Sequence, residues 1–376
     1  MDVSRAVDRP VGIEPGLSPI TGSYRQDDCQ FLLTPLQAEF FSIQEKERLI
    51  QSGEKHYSEM ISFESPPSEA YLTLFRNLTQ RHKGRLAAEV MRLAQSIVNT
   101  RLAPITLVSL VRAGTPIGAL LQRALSRHLQ VDSRHYSISI IRDRGIDEQA
   151  LKFLLREHRR PAAGVVFVDA WTAKGVITEE LKRAIAHWNA RHQEQLKDTL
   201  YVISDIGGVA DIAATYEDYV IPSGILNAPV SGLISRSLLN RQIQPGQFHG
   251  CTLYEHLQQY DVSHWFLDEI EAEMDVNIVA PLPSISRGER YAQTRIYLNR
   301  WIDSYGIGDI NHIKPGIAEA TRVMLRRVPE RLLLRDPGAE EVAHLLILAE
   351  EKGVVVEHQP NMPFNAVAFI KTIKTS

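Results

Sequence analysis

The chain has 376 residues, 44% hydrophobic and 23% charged, and its 42 Lys and Arg against 45 Asp and Glu leave a net charge of −3. That composition supplies a sizeable core and excludes a chain coated with cations, while leaving room for a local basic face. Two distant cysteines, Cys29 and Cys251, exclude a disulfide framework and a cysteine-rich metal motif, and no apolar run approaches the ~18 residues of a membrane span.

In chain order, residues 1–27 are rich in Pro, Gly, Ser and Asp and are expected to be loose. Their opening, MDVSRAVDRPVGIEPG, is too polar for a secretory signal, so a cytoplasmic location is expected. An N-terminal extension, 1–80, is expected to pack on the core and carries HYSEMISFESPPSEAY (56–71). A main domain over 81–275 opens with RLAAEVMRLAQSIVN (85–99), whose apolar residues fall at helical spacing. Strands and helices then alternate: strand 105–111, helix 117–125, strand 135–141, helix 148–158, strand 164–169, helix 177–189, strand 199–204. Alternation with β-branched strands predicts an α/β fold with a parallel sheet and helices on both faces. In such sheets ligands sit beyond the carboxyl ends of the strands. The stretch 221–242 mixes Pro, Gly and Ser with a helical run. A linker is expected over 276–288, and a small α/β unit over 289–376. That unit has helices near 289–304, 316–327 and 340–353, and strands at 331–335, VVVEH and AVAFIK.

Four strand-end loops can carry chemistry. In VVFVDAWTAKGVIT (165–178), Asp169 ends a strand. Thr172, Ala173, Lys174 and Gly175 then make a small-residue turn before a helix that opens near Thr178. Free amides and the helix dipole there suit an anion; equally, Thr172 or Thr178 can simply cap the helix. In LVRAGTPIG (110–118), Arg112, Ala113 and Gly114 set a guanidinium beside a tight turn, suited to pyrophosphate or to a plain structural turn. In IIRDRGID (140–147), Arg142 and Arg144 either clamp phosphate or form a solvated loop. In SDIGGVAD (204–211), Asp205 again ends a strand before two glycines.

Together these loops resemble the type I phosphoribosyltransferases. More closely, LIQSGEKHYSEMIS, SLVRAGTPIG, HYSISIIRDRGID, FVDAWTAKG, IPSGILNAPVSGLISR and FHGCTLYEHL resemble the phosphoribosyltransferase-like proteins found beside bacterial tellurium-resistance and stress genes. That family also carries the name StiP and a cysteine-protease label. Ala170 stands where the transferase signature has a second acid. The resemblance implies an enzyme that makes or breaks an N-glycosidic bond, using phosphoribosyl pyrophosphate, Mg²⁺ and a nitrogen base or nucleotide. Asp169, Arg142 and Arg144 would be catalytic. Thr172, Ala173, Lys174, Gly175 and Thr178 would hold the 5′-phosphate, Arg112, Ala113 and Gly114 the pyrophosphate, and Asp205 the metal. His56, Tyr57 and Glu59 are candidates for the base pocket. The alternatives are a non-catalytic binder of phosphoribosyl nucleotides and, ranked lower, a cysteine protease. For the latter, Cys29 lies among acids and Cys251 follows His249 by two residues.

In the last unit, IKPGIAEATRVMLRR (313–327) resembles the kink-turn-binding family that includes pelota. The resemblance implies RNA binding by Lys314, Gly316, Glu319, Thr321, Arg322 and Arg326. Without it, the segment reads as an amphipathic helix with a solvated basic face. The assembly stays open, with a homodimer as one option.

Overall fold

The structure is a computed structural model describing residues 17–277 and 281–373. The opening residues 1–16, and residues 278–280 of the expected linker, lie outside the described residues.

The main sheet has six strands: β1 (Gln30–Leu32), β2 (Ile105–Leu110), β3 (Ser133–Ile138), β4 (Val165–Thr172), β5 (Leu200–Asp205) and β6 (Ile212–Thr215). Their spatial order is β1-β3-β2-β4-β5-β6, and every pairing is parallel. The expected parallel α/β sheet is therefore present. Strand β4 shows why both faces are covered. Val166, Val168 and Ala170 point into one apolar core, while Val165 and Phe167 point into another. The first core is filled by α2 (Glu69–Thr100), α3 (Gly114–Arg123) and α5 (Ser263–Glu271), and the second by α4 (Val176–Arg191). Full burial of a side chain such as Phe167 contributes roughly 1.5–3 kcal/mol. The chain crosses from β3 over β2 to β4, so strand order reverses between β2 and β4. A crevice forms at that place in such sheets.

Capping explains several boundaries. Ser42 accepts from the Glu45 amide and starts α1 (Ile43–Gln51), and Ser286 accepts from the Glu289 amide and starts α6 (Arg287–Tyr305). Ser68 starts α2 well before residue 85, because Tyr71, Leu72, Phe75 and Leu78 continue its apolar stripe. No α-helix forms within 221–242. Its prolines and glycines make 3₁₀ turns at Pro222–Gly224 and Ala228–Val230 instead. Part of the segment expected to be loose is packed: Tyr24 is buried and donates its hydroxyl to Val230 O at 2.9 Å.

The last unit has a four-stranded sheet of β7 (Ile313–Pro315), β8 (Pro329–Leu334), β9 (Val355–His358) and β10 (Ala366–Ile370), in the order β7-β10-β8-β9. Against it pack α7 (Ile317–Arg326) and α8 (Ala343–Lys352). This unit docks on the carboxyl edge of the main sheet. Asp218 accepts from the Ile317 amide at 2.9 Å and the Asn365 amide at 2.7 Å. Glu47 of α1 pairs with Arg327. Gly316 has φ +95°, and a Cβ there would lie 2.5 Å from Ile206 Cδ1. Gly316→Ala should therefore destabilise this docking by about 1–3 kcal/mol, read as a lower midpoint in urea.

Candidate functional site

A cleft of about 380 Å³ lies between the carboxyl ends of the main sheet and the last unit. One wall is the Asp169–Thr178 segment. Gly175 takes φ +86° immediately before α4, and no side chain caps that helix. Among the described residues, no acceptor meets the amides of Val176, Ile177 and Thr178. The Thr178 hydroxyl is buried and has no partner either. Neither threonine is therefore a helix cap, and the dipole's positive end opens into the cleft. The turn is braced from behind. A Cβ on Gly207 would sit 1.6 Å from Ala173 O, and the Asp205 carboxylate accepts from the amides of Gly207, Val209 and Ala210 at 3.2, 3.0 and 2.9 Å.

The opposite wall comes from the last unit. Lys314, Glu319, Arg322, Arg326 and Arg327 line it. Arg322 lies 4.5 Å from the Trp171 ring centroid and pairs with Glu319 at 3.0 Å. Trp171 Nε1 donates to Glu319 at 3.2 Å, and Lys174 Nζ donates to Ile310 O at 2.8 Å. Arg142 closes one side, its guanidinium 5.3 Å from the Tyr57 ring centroid. Lys46 and Arg236 complete the lining. Eight basic side chains (Lys46, Arg142, Lys174, Arg236, Lys314, Arg322, Arg326, Arg327) thus share the cleft with three acidic ones (Asp169, Asp309, Glu319). The electrostatics follow. Burial pushes Lys174 well below the ordinary lysine range, with Lys314 adding to the shift. Burial pushes Asp169 up to about 7. Burial also acts on Glu319, but the charges of Arg322 and Lys314 outweigh it and hold the carboxyl at about 2.

Of the residues singled out in the sequence, the structure brings Asp169, Thr172, Ala173, Lys174, Gly175, Thr178, Arg142, Lys314, Glu319, Arg322 and Arg326 to this one cleft. Others lie elsewhere. Arg112 is buried beside Glu64, to which it donates at 3.1 and 3.2 Å, and Ala113 and Gly114 serve packing: a Cβ on Gly114 would meet Val168 O at 2.7 Å. Arg144 turns outward to Glu59 and Leu239 O. Thr321 is buried, bonded to Ile317 O and His344 Nε2, and Gly316 faces Ile206. Asp205 does not fit a Mg²⁺ site. Loop amides occupy its oxygens, and no group of three or more His, Cys, Asp or Glu side chains converges among the described residues.

Sequence reading missed Lys46 and Arg236. Both had a signal. Lys46 sits on the Ile43, Lys46, Glu47, Ile50 stripe of α1, where an apolar residue is expected, and Arg236 is the lone charge in IPSGILNAPVSGLISR.

The family described as "Tellurite-like stress resistance cysteine protease StiP" matches residues 22–271. The chain belongs to the StiP family. A relative from Acinetobacter baylyi, named "Cysteine protease StiP", is 41% identical over 368 residues and covers 94% of both chains. The PELOTA RNA binding domain matches residues 292–372. Among solved structures, the hypoxanthine phosphoribosyltransferase of Trypanosoma cruzi is 18% identical, covers 38% of this chain and 82% of its own, and reaches a TM-score of only 0.27. A second structure of that enzyme, in complex with the product IMP, reaches 0.26 at 19% identity, covering 36% of this chain and 72% of its own.

These findings overturn the glycosyl-transfer reading. The StiP relative, matched over nearly its whole length, is named a protease, and the transferase likeness is too weak to carry an argument. The catalytic roles drawn for Asp169, Arg142 and Arg144 fall with that reading. The thiols in turn are far from the arrangement of an activated nucleophile. Cys29 and Cys251 are both fully buried, and neither lines the cleft. Burial, with Asp28 adding, raises Cys29, and burial pushes Cys251 up to about 12. The imidazoles near them in sequence or space are engaged elsewhere: His135 with Asp28 O and Ser109 Oγ at 2.8 and 2.7 Å, and His249 with Ser139 Oγ at 2.7 Å.

No helix among the described residues is long and apolar enough to cross a membrane.

Proposed function

We propose that this StiP-family protein binds phosphate-bearing RNA in the cleft, with the open start of α4 and the last unit's cationic wall gripping the same ligand. The observation that carries this reading is the convergence of eight basic side chains on one cleft that also exposes an uncapped helix start. The match of residues 292–372 to an RNA-binding domain supports the choice of RNA as the source of the phosphate. Phosphate contacts of this kind supply affinity that falls with salt as counterions are released.

Binding of a 5′-phosphorylated single-stranded RNA, followed by fluorescence anisotropy across a salt series, tests this. Affinity should fall steeply with salt. Arg322→Ala should weaken binding about tenfold and reduce the salt slope by about 1. Affinity indifferent to salt, to Arg322→Ala and to Lys174→Met would remove the proposal.

A second reading, proteolysis through a cysteine, is favoured by the printed name of the 41% identical relative. It requires that Cys29 or Cys251 be uncovered and its thiolate favoured, since only the thiolate attacks. Hydrolysis of an unfolded protein substrate that Cys29→Ser or Cys251→Ser abolishes, and that Lys174→Met leaves intact, would establish it in place of the first.

A further inference from the structure

A second cavity of about 360 Å³ adjoins the cleft, and the two share Lys46, Arg236 and Arg326 as lining. These three side chains come from the N-terminal extension, the irregular 221–242 stretch and the last unit, which are far apart in sequence. Lys46 is only 6% exposed. Among the described residues none of the three forms an ion pair, whereas their neighbours do: Arg327 is taken by Glu47 and Arg112 by Glu64. Glu64 is fully spent, since its other oxygen accepts from the Ala228 amide. Buried donors at this junction go unmet, namely Arg236 Nη1, Arg326 Nε and Arg112 Nε, the last on a side chain 5% exposed. Arg236 Nη2 reaches the Tyr57 and Met60 carbonyls, and Glu47 and Glu64 lie nearby but are bonded to Arg327 and Arg112. Three basic groups crowded together without an ion pair of their own are costly unless an anion completes the site.

We propose that the junction of the two cavities is a second anion subsite, built by Lys46, Arg236 and Arg326, that takes a phosphate group distinct from the one at the start of α4. The inference rests on the phosphate-binding reading above and extends it. The ligand carries two phosphates held apart, as successive phosphodiester groups of one strand are. The guanidiniums supply fixed donors. The Lys46 ammonium, facing Arg236, Arg327, Arg326 and Glu47, is pushed down to about 7 by burial and the neighbouring arginines, so an arriving anion draws a proton onto it.

Titration calorimetry of the full chain with inorganic phosphate, in two buffers of different ionisation heat near pH 7.5, tests the subsite. Two phosphates per chain are expected, with proton uptake at the Lys46 subsite in addition to that by Asp169 at the start of α4. Lys46→Met should bind one phosphate with correspondingly less uptake. Its ligand-free midpoint should be equal to or above that of the native chain, because a buried amine without an ion-pair partner is gone. Lys46→Arg should retain two phosphates with the same reduced uptake. A lower ligand-free midpoint with both phosphates still bound would show that Lys46 is merely structural and overturn the subsite. One phosphate in the native chain, abolished by Lys174→Met and untouched by Lys46→Met, would overturn the subsite and leave the cleft reading standing. No phosphate bound at all would overturn both.

Discussion

Arg123→Met should lower stability by about 3–5 kcal/mol, the typical loss when one partner of a buried ion pair is removed. Arg123 and Asp28 are both 0% exposed, joined by two bonds of 2.7 Å. Arg123 also reaches Asp268 at 2.7 Å and Glu271 at 2.9 Å. It thereby ties the turn preceding the edge strand β1, α3 and α5 into one body. Without it, the one ion pair left to Asp28 among the described residues is with Arg127, at 3.3 Å. Burial pushes the Asp28 carboxyl up, but the bonds and charge of Arg123 outweigh it and hold it below its ordinary value. A depressed carboxyl stabilises the fold above its unfolded value near pH 4 and loses that contribution as pH falls through the folded value. The deficit of the variant, measured as a urea midpoint by circular dichroism, should therefore be largest near neutrality and shrink toward pH 3. Asp28→Leu combined with Arg123→Met should recover part of the loss, because no uncompensated charge stays buried. An equal deficit at every pH would refute the charge-based account.

The second large effect concerns Asp169 and has the opposite sign. Burial raises this carboxyl to about 7, with Ala170 N and Arg322 only partly opposing the shift and Glu319 adding to it. A raised carboxyl costs the fold nothing while protonated, below its unfolded value near 4. Its cost grows as pH rises, reaching full size above the folded value. A carboxyl raised from its ordinary value to about 7 corresponds to ~4 kcal/mol, and partial exposure in the cleft reduces this to about 2 kcal/mol. Asp169→Asn should thus raise stability by about 2 kcal/mol at pH 8 and leave it unchanged at pH 4. The same substitution bears on the ligand. Between pH 6 and 8 the native carboxylate ionises beside the proposed phosphate site, so anion affinity should fall over that interval in the native chain and stay flatter in the variant. A variant with no stability gain at pH 8 would show that Asp169 titrates normally.

Much of the site's first wall could be read in advance. β-Branched strands ending in an acid, followed by small residues and a helical stripe, describe a strand–loop–helix corner, and one is present, although the strand runs past Asp169 to Thr172 because Trp171 and Thr172 still pair with Ser204 and Asp205 of β5. Periodicity and glycine placement are local properties, so a sequence displays them. The Arg112 turn misled for a related reason. Its residues suit an anion as well as the Thr172–Gly175 turn does, but Glu64, 48 positions away, neutralises the guanidinium. Gly316 and Thr321 misled similarly. Their motif was legible, yet Ile206, Asp218 and His344 are what they meet. Lys46 and Arg236 went unread because a charge on an apolar stripe announces only that something distant must answer it.

By itself, then, the sequence determined the parallel α/β sheet, the small C-terminal unit, the small-residue turn before α4 and membership of the StiP family, while the structure decided that no side chain caps that helix. The tertiary structure alone decided that the last unit's basic side chains turn inward onto that turn, that α1 carries a buried lysine into the same space, and that both thiols lie in the core, away from it. The first set follows from short-range periodicity and backbone preference. The second depends on charges and glycines meeting partners up to 280 residues away, as Arg327 meets Glu47, and such pairings exist only once the two units have docked.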